Sequence, residues 1–369
     1  MNKTAALFVL ISLLAPGTGS AKEFKPALPG YSYHFPADHG SHDDYQVEWW
    51  YFTGHLTDKK GSQTGFELTF FRTGVQNDSI RGNPSKWRVE NIYSAHFAIS
   101  DEMEKTFWFQ EKISREALGK AGAEKSHFHA WIDHWYGNEK QGVFYLGAEE
   151  GAGENKKKIE LKLIPEKPLV IHGQMGVSPK DEKEINRSHY YSFTRLKTSG
   201  TLVLNGKELE VEGISWMDHE FGSSPLLPSQ TGWDWFSIQL DNRTELMFYQ
   251  IRNKDGSAPF SFGTLIDENG KTETLHSKDF SIRAKGRWRS PGGGSYPMGW
   301  ELTLPREHLT LLLTPAIENQ ELNVFGGKMR YWEGSVSVSE KSSTLSGAGY
   351  VELTGYQTGF DSLFSQKGQ

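Results

Sequence analysis

Short segments in which apolar and polar residues alternate, bounded by turn residues, recur along almost the whole chain. Alternation at a period of two is typical of β-strands, whose successive side chains point to opposite faces of a sheet. Helical periodicity is scarce, so the pattern predicts an all-β protein built from sandwiches or barrels. The predicted strands include 48–56, 65–73, 91–100, 142–148, 158–165, 191–196, 207–215, 233–240, 244–252, 259–266, 329–338 and 347–353.

Turn residues divide this pattern into hairpins and domains. Asn205-Gly206 and Asn269-Gly270 lie between alternating segments and are predicted to supply the positive φ angles of two-residue turns. The clearest break is 222–232, which is rich in Gly, Ser and Pro and predicts a crossover between domains. We expect an N-terminal domain over 22–222 and a C-terminal domain over 223–369.

The first 21 residues match a secretory signal peptide. Lys3 precedes the apolar run 5–14, and the small residues Gly19-Ser20-Ala21 follow it. A membrane span needs about 18 or more apolar residues, and this run is shorter. We therefore expect cleavage after Ala21 and a periplasmic or secreted protein.

Composition narrows the function classes. The formal net charge of -6 becomes -7 when Lys3 is removed, and acids and bases are otherwise mixed, which argues against a nucleic-acid partner. The chain has no cysteine, so neither a disulfide nor a thiolate nucleophile is available. Aromatic residues make up 13% of the chain, and together with 39 glycines they favour pleated sheets joined by turns.

A histidine and carboxylate cluster leads directly into an aromatic strand near the N-terminus. On that strand Trp49 and Tyr51 alternate with Trp50 and Phe52, which predicts core on one face and a ligand or partner on the other. A metal site is one hypothesis for the preceding cluster, whose residues are Asp38, His39, His42, Asp43 and Asp44. The spacing is loose and no HExxH pattern is present, so a solvated polar loop is the favoured interpretation and no metal is predicted.

The box Trp216-Met217-Asp218-His219-Glu220 follows a predicted strand and precedes the domain break. Its polar groups would then face the domain junction, where a desolvated Asp218 would have a raised pKa and could donate a proton. The alternative is that Asp218 caps a turn and His219 bonds to backbone, and the sequence leaves both open. A G-x-S-x-G elbow, phosphate loops and dinucleotide fingerprints are absent, which leaves acid–base chemistry without a cofactor, or binding.

Arginines within or beside the predicted strands are a further candidate feature. We expect Arg72, Arg195 and Arg330 to form buried pairs with Glu67, Glu220 or Glu352.

Three stretches together resemble the AttH-like, carotenoid 1,2-hydratase superfamily of lipocalin-like proteins. They are 47–56, the box 216–220, and 349–356, which contains Tyr350 and Glu352. The resemblance implies two lipocalin-like β-barrels packed side by side, with a ligand cavity at or near their junction. Many exported members carry only the label of predicted secreted hydrolase.

The resemblance also implies site residues. The hydratase branch has a His-x-Trp pair and a Tyr-x-Asp pair, which correspond here to His189 with Tyr191 and to Trp216 with Asp218. Asp218 would then protonate a double bond, the rings of Trp216 and Tyr191 would stabilise the cation, and His189 would direct water. The predicted ligand-binding residues are Trp49, Tyr51, His219, Glu220, Tyr350 and Glu352.

Three functions follow from these features. The first is an exported hydratase-like lyase acting on an apolar isoprenoid or acyl molecule, and the second is a non-catalytic carrier of such a ligand in the cell envelope. The third is a secreted hydrolase, metal-assisted through His39 and His42. The setting of some relatives suggests a link to an envelope ABC transporter, and we expect a monomer or weak dimer.

Overall fold

The computed structural model of this chain describes residues 23–75, 89–181, 186–223 and 226–357. The predicted signal peptide, residues 1–21, lies outside these ranges. Their secondary structure consists of β-strands and four short 3-10 helices, at Ala37–His39, Ala117–Gly119, Gly153–Asn155 and Phe325–Gly327. None of the helices in the described ranges has the length and apolarity that crossing a membrane would need.

The N-terminal half forms one antiparallel sheet that curls into a nearly closed barrel. Its thirteen strands are β1 Val47–Asp58, β2 Gln63–Gly74, β3 Asn91–Asp101, β4 Thr106–Arg115, β5 Ala121–Ala123, β6 His129–Ile132, β7 Trp135–Lys140, β8 Val143–Glu150, β9 Lys157–Pro165, β10 Val170–Ile171, β11 Ser178–Pro179, β12 Arg187–Leu204 and β13 Lys207–Gly222. The order is β4-β3-β2-β1-β13-β12-β9-β8-β7-β6-β5, and β10 and β11 pair with β12. Because β4 contacts β5 and β6, the two ends of the sheet meet.

The C-terminal half forms a second antiparallel sheet that curls into a half-barrel. Its ten strands are β14 Gln230–Leu240, β15 Glu245–Asn253, β16 Phe260–Ile266, β17 Thr272–His276, β18 Ser281–Ala284, β21 Trp300–Leu304, β22 Leu309–Pro315, β23 Glu321–Val324, β24 Met329–Glu340 and β25 Ser346–Leu353. The order is β17-β16-β15-β14-β25-β24-β22-β21-β18, with β23 on β24. A separate pair joins β19 Arg287–Arg289 to β20 Ser295–Pro297.

Each barrel has its own aromatic core, and a third cluster joins the two barrels. Trp50 and Phe52 are fully buried in the first barrel, and Trp300 and Trp332 are buried in the second. The third cluster lies between the barrels and draws its side chains from both halves of the chain: Tyr51, Tyr190, Trp216, Trp235, Met247, Tyr249, Ile251, Phe262 and Tyr350. Burial of these rings stabilises the packing of one barrel against the other.

The predicted fold is confirmed as two lipocalin-like β-barrels side by side. The core face predicted for β1 is confirmed, because Trp50 and Phe52 face the barrel core. The other face, for which a ligand or partner was predicted, packs against the second domain through Trp49 and Tyr51. Asn205 and Gly206 have φ angles of 52° and 71°, as predicted for a two-residue turn.

The second predicted turn differs from the expectation. Gly270 has a φ of 86°, but Asn269 is not in the positive region. The loop between β16 and β17 is longer than two residues, and the Asp267 carboxylate organises it by accepting backbone N–H bonds from Asn269 and Lys271.

Candidate functional site

Strands β12 and β13 separate two polar networks, one on each face. In their antiparallel register Ser192 lies opposite Asp218, and Tyr191 lies opposite His219. Because successive side chains point to opposite faces, Asp218 faces the second domain while His219 faces the interior of the first barrel. The two networks are therefore separated by one sheet.

Asp218 is held at the domain interface by three hydrogen-bond donors. The Trp216 indole N–H donates to Oδ1 at 2.6 Å, and the Tyr190 hydroxyl donates to Oδ2 at 2.8 Å. The Ser192 hydroxyl also donates to Oδ1. The carboxyl is thus fixed in position, and only 4% of Asp218 is exposed to solvent.

Burial raises the pKa of Asp218 to about 7, although its three hydrogen bonds oppose that shift. The nearby charge of Glu220 acts in the same direction as burial. A carboxyl with such a pKa exists in both protonation states near neutral pH, so Asp218 can serve as a proton donor or acceptor there.

A hydrogen-bonded chain links Asp218 to the second domain through His172. The His172 Nε2 atom lies 2.7 Å from the Ser192 hydroxyl, and Nδ1 lies 2.9 Å from the Thr264 hydroxyl on β16. Since Ser192 donates to Asp218, it accepts from the Nε2–H group, and Nδ1 accepts from Thr264. Burial lowers the pKa of His172 to about 3, which keeps the ring neutral as this assignment requires.

Aromatic rings from both domains surround Asp218. The Trp235 ring lies 5.2 Å from Tyr51 and 6.3 Å from Trp216, both in edge-to-face geometry. The Trp235 indole N–H also donates to the Tyr190 hydroxyl at 3.1 Å. These contacts bring aromatic rings of both domains next to the buried Asp218 carboxyl.

Two further carboxyl groups lie opposite each other on the wall of the second domain. Glu333 on β24 and Glu352 on β25 are directly paired in register. The Tyr51 hydroxyl donates to Glu333 at 2.5 Å, and the Trp233 indole donates to Glu352 at 2.7 Å. Burial raises the pKa of Glu352 to about 7 and that of Glu333 well above its ordinary value.

Glu67 on β2 is a third such carboxyl, and it is 1% exposed. Thr69 donates to its Oε1 atom at 2.9 Å, while Oε2 has no hydrogen-bond partner among the residues that the structure describes. Burial, together with the charge of Glu352, raises the pKa of Glu67 to about 8.

The prediction that three arginines form ion pairs with Glu67, Glu220 or Glu352 is wrong. Each arginine pairs with a different glutamate: Arg72 with Glu48 at 2.8 Å, Arg195 with Glu245 at 2.5 Å, and Arg330 with Glu321 at 3.2 Å. Glu220 instead pairs with Lys180 at 2.6 Å.

The second network lies inside the first barrel and centres on Glu48. Its Oε1 atom contacts His219 Nε2 at 2.9 Å and His42 Nδ1 at 2.7 Å, and its Oε2 atom accepts from Arg72. Burial opposes ionisation, but the Arg72 charge and the two histidine hydrogen bonds hold the pKa of Glu48 well below its usual range. Glu48 is therefore an ionised, paired carboxylate.

Tyr191 and the N-terminal segment continue this network. The Tyr191 hydroxyl lies 2.8 Å from His219 Nδ1 and 2.7 Å from His39 Nδ1. Asp38 and His39 are only 8% and 7% exposed, so the prediction of a solvated loop is wrong for these two residues, whereas Asp44 is exposed. Asp38 and His39 are buried and hydrogen-bonded to residues of β1 and β12.

The three residues His42, Glu48 and His219 could in principle hold a metal ion, since their ligand atoms lie within 4.8 Å of one another. The protonation and charge of these side chains do not suit a metal ion. Burial lowers the pKa of His42, but hydrogen bonds to Asp38 and Glu48 raise it overall to about 9, so this ring carries a proton where a metal would bind. The Arg72 charge on Glu48 further disfavours a cation.

The structure divides the predicted site residues between the two faces. The domain interface contains Asp218, Trp216, Trp49, Tyr51, Glu220, Tyr350 and Glu352. The other face carries His189, Tyr191 and His219. His189 donates from Nδ1 to the Gly176 carbonyl and lies 3.2 Å from the Tyr45 hydroxyl, so it is not brought together with Asp218.

The sequence interpretation missed His172, Ser192 and Glu333, and it considered Glu67 only as a partner of an arginine. Two of them carry a local signal, because Glu67 and Glu333 each interrupt apolar stretches of a strand, in Phe66-Glu67-Leu68 and Tyr331-Trp332-Glu333. A carboxylate in such a position indicates either a buried pair or a functional group. No comparable signal marks His172.

Comparisons with known proteins agree with this architecture. A crystal structure of AttH from Nitrosomonas europaea is similar, at 32% identity and a TM-score of 0.81, over 90% of this chain and 99% of the other. Kievitone hydratase from Nectria haematococca shares the fold at 14% identity and a TM-score of 0.66, over 93% and 98% of the two chains. CghA, solved with Sch210972, shares it at 13% identity and a TM-score of 0.52, over 92% and 97%.

A search of curated proteins finds no match. The family model described as AttH-like matches residues 26–356, which is nearly the whole of the described chain. The chain therefore belongs to the AttH-like family.

Proposed function

We propose that this protein is a hydratase-like enzyme that adds water to a carbon–carbon double bond of an apolar molecule held between its domains. The observation that carries this proposal is Asp218, a buried carboxyl with a pKa of about 7 among aromatic rings of both domains. Its similarity in fold to a protein named as a hydratase is consistent with this chemistry.

The reaction needs one acid and one water molecule. Asp218 in its neutral form donates its proton to one alkene carbon, and the π-electron pair forms the new C–H bond. The other carbon becomes cationic, water attacks it to form the C–O bond, and the water's surplus proton returns to the carboxylate. Atoms and charge balance without an oxidant or reductant.

The surroundings of Asp218 support the cationic stage. Trp216, Trp235 and Tyr51 form a cluster of rings around the Asp218 carboxylate, and rings and carboxylate together would stabilise a positive charge. Tyr191 and His189 lie on the opposite face of the sheet, so the mechanism assigns them no contact with substrate.

The test begins with mass spectrometry of small molecules that co-purify with the protein. The compound found, or otherwise a panel of isoprenoid and acyl alkenes, is then incubated with the protein in water labelled with heavy oxygen. We expect label in a new hydroxyl group, and a rate at least about 100-fold lower in Asp218→Asn. Asp255→Asn, in an exposed turn, is the matched control and should retain full activity.

If Asp218→Asn turned over substrate at the wild-type rate, Asp218 would not be the catalytic acid. A bound apolar compound that is never converted would favour the carrier, which would use the same aromatic interface without chemistry. The secreted hydrolase has less support, because its candidate residues His39 and His42 are engaged in the Glu48 network.

We further infer that the protein is exported, from the signal-peptide pattern over residues 1–21. Expression of the full chain and N-terminal sequencing of the product should find Lys22 as the first residue in the exported fraction. A product that keeps Met1 and remains in the cytoplasm would contradict export.

A further inference from the structure

The domain interface holds more buried carboxyl groups than acid catalysis requires. Asp218 alone could protonate an alkene, yet Glu67, Glu333 and Glu352 face the same interface. The four are close enough to interact, since Glu67, Glu352 and Asp218 all raise the pKa of Glu333 after burial itself.

Within the described ranges these additional acids form no ion pair with a basic side chain, although the charge of Lys180 lowers the pKa of Glu352 in opposition to burial. Glu333 and Glu352 are directly opposite on adjacent strands, an arrangement in which like charges repel. Lys180 forms its ion pair with Glu220. Across the described ranges, none of Glu67, Glu333 and Glu352 takes part in an ion pair.

Glu67 gives an independent sign of a missing partner. It is 1% exposed, and its Oε2 atom has no hydrogen bond within the described part of the chain, although Oε1 is bonded to Thr69. Buried polar atoms in native proteins are almost always satisfied, so this oxygen is open to a donor supplied by a ligand.

We propose that the interface binds an organic cation, a protonated amine on an apolar body, with its N–H groups directed at Glu67 and the Glu333–Glu352 pair. The rings of Tyr51, Trp235 and Tyr350 line the same volume and suit both the positive charge and the apolar body. A bare metal ion fits less well. Among the described residues, the group whose ligand atoms lie within 4.8 Å of one another is His42, Glu48 and His219, on the other face.

The interface is less deeply buried at one edge. Trp49, Trp233, Leu226 and Glu352 are only partly buried, whereas Glu67 and Glu333 are buried. A ligand entering at this edge would meet the indole rings and Glu352 first and would reach Glu67 with its far end.

This inference rests on the proposed function in placing the ligand at the same interface, and it adds the ligand's charge. A protonated amine also resembles the cation formed when an alkene is protonated. Amine binding requires no turnover, so the two proposals can fail separately.

The experiment compares geranylamine, which is protonated at neutral pH, with geraniol, its neutral analogue on the same skeleton. Isothermal titration calorimetry at pH 7 should show geranylamine binding roughly tenfold tighter or more. Titrations in two buffers of different ionisation enthalpy should show proton release, because the carboxyls ionise as the amine binds.

Glu67→Gln and Glu352→Gln should each reduce geranylamine affinity by roughly tenfold and leave geraniol affinity unchanged. Glu210→Gln is the matched control, an exposed glutamate on the same strand as Asp218. Equal affinity for the two probes, failure of both to bind, or no effect of either interface variant would overturn the cation site. Amine binding without any hydration would uphold it and reject the proposed reaction.

Discussion

The two faces of β12 and β13 carry buried polar networks of opposite character. Inside the first barrel, Glu48 is matched by Arg72, His42 and His219, and its pKa is held low. At the domain interface, burial raises the pKa values of Asp218 and Glu67 to about 7 and about 8, and neither forms an ion pair within the described residues.

The difference indicates a division of roles. A buried charge with its partners fixes the packing of strands and leaves no group free for a ligand. Buried acids without cations cost stability, and such groups cluster at functional sites. We therefore infer a structural role for the Glu48 network and propose the interface as the functional face of the same two strands.

The largest expected effect comes from breaking the paired network. Glu48→Gln removes the nearer carboxylate of Arg72 and leaves only Asp43, at 3.8 Å, as its acidic partner, so we expect the free energy of unfolding to fall by about 3–5 kcal/mol. Glu352→Gln removes an acid that has no ion pair, so the change should stay within about 1 kcal/mol. Urea denaturation of both variants measures the difference, and equal losses would contradict the division of roles.

A smaller effect is expected from pH. The pKa of Glu67 is about 8 in the folded protein against an ordinary value of 4.5, so its contribution to stability is full below pH 4.5 and is lost as pH rises through 8. The unfolding free energy of the wild type should therefore fall across this window, and Glu67→Gln should fall less steeply. His42, with a raised pKa, adds a slope of the same sign above pH 6.5, so the test compares the two slopes. Identical slopes would show that Glu67 ionises normally.

The smallest effect compares two adjacent tyrosines on opposite faces. Tyr190 donates to Asp218, which favours the ionised carboxyl, so Tyr190→Phe should raise the pKa of Asp218 by up to about one unit. Tyr191→Phe removes a contact with His219 and should leave that pKa unchanged. Carboxyl carbon NMR titrations of both variants provide the measurement, and a similar shift in both would mean that the two networks are coupled through the sheet.

Strand periodicity was sufficient to predict an all-β protein of sandwiches or barrels and the two-sided character of β1, whereas the two lipocalin-like barrels were implied by the family resemblance. The box 216–220 was predicted to face the domain junction, and Trp216, Asp218 and Glu220 do so, whereas His219 faces the interior of the first barrel. These inferences depend on local alternation, which a single sequence contains.

Contacts between residues that are distant in sequence could not be predicted from local alternation. Whether His189 shares a face with Asp218 depends on the register of β12 and β13, and the register places Ser192 opposite Asp218. His189 is an odd number of residues from Ser192, so it points to the other face. The bond from His172 to Ser192 likewise joins elements whose contact arises only in the folded sheet.

The proposed reaction depends on Asp218 being a buried carboxyl that keeps its proton up to neutral pH. The most direct test is the titration of the Asp218 carboxyl carbon by NMR in protein labelled at aspartate, with Asp218→Asn identifying the signal. We expect a midpoint near pH 7. A midpoint near the ordinary aspartate value of 3.8 would show that the group is ionised at neutral pH and would contradict its role as the acid.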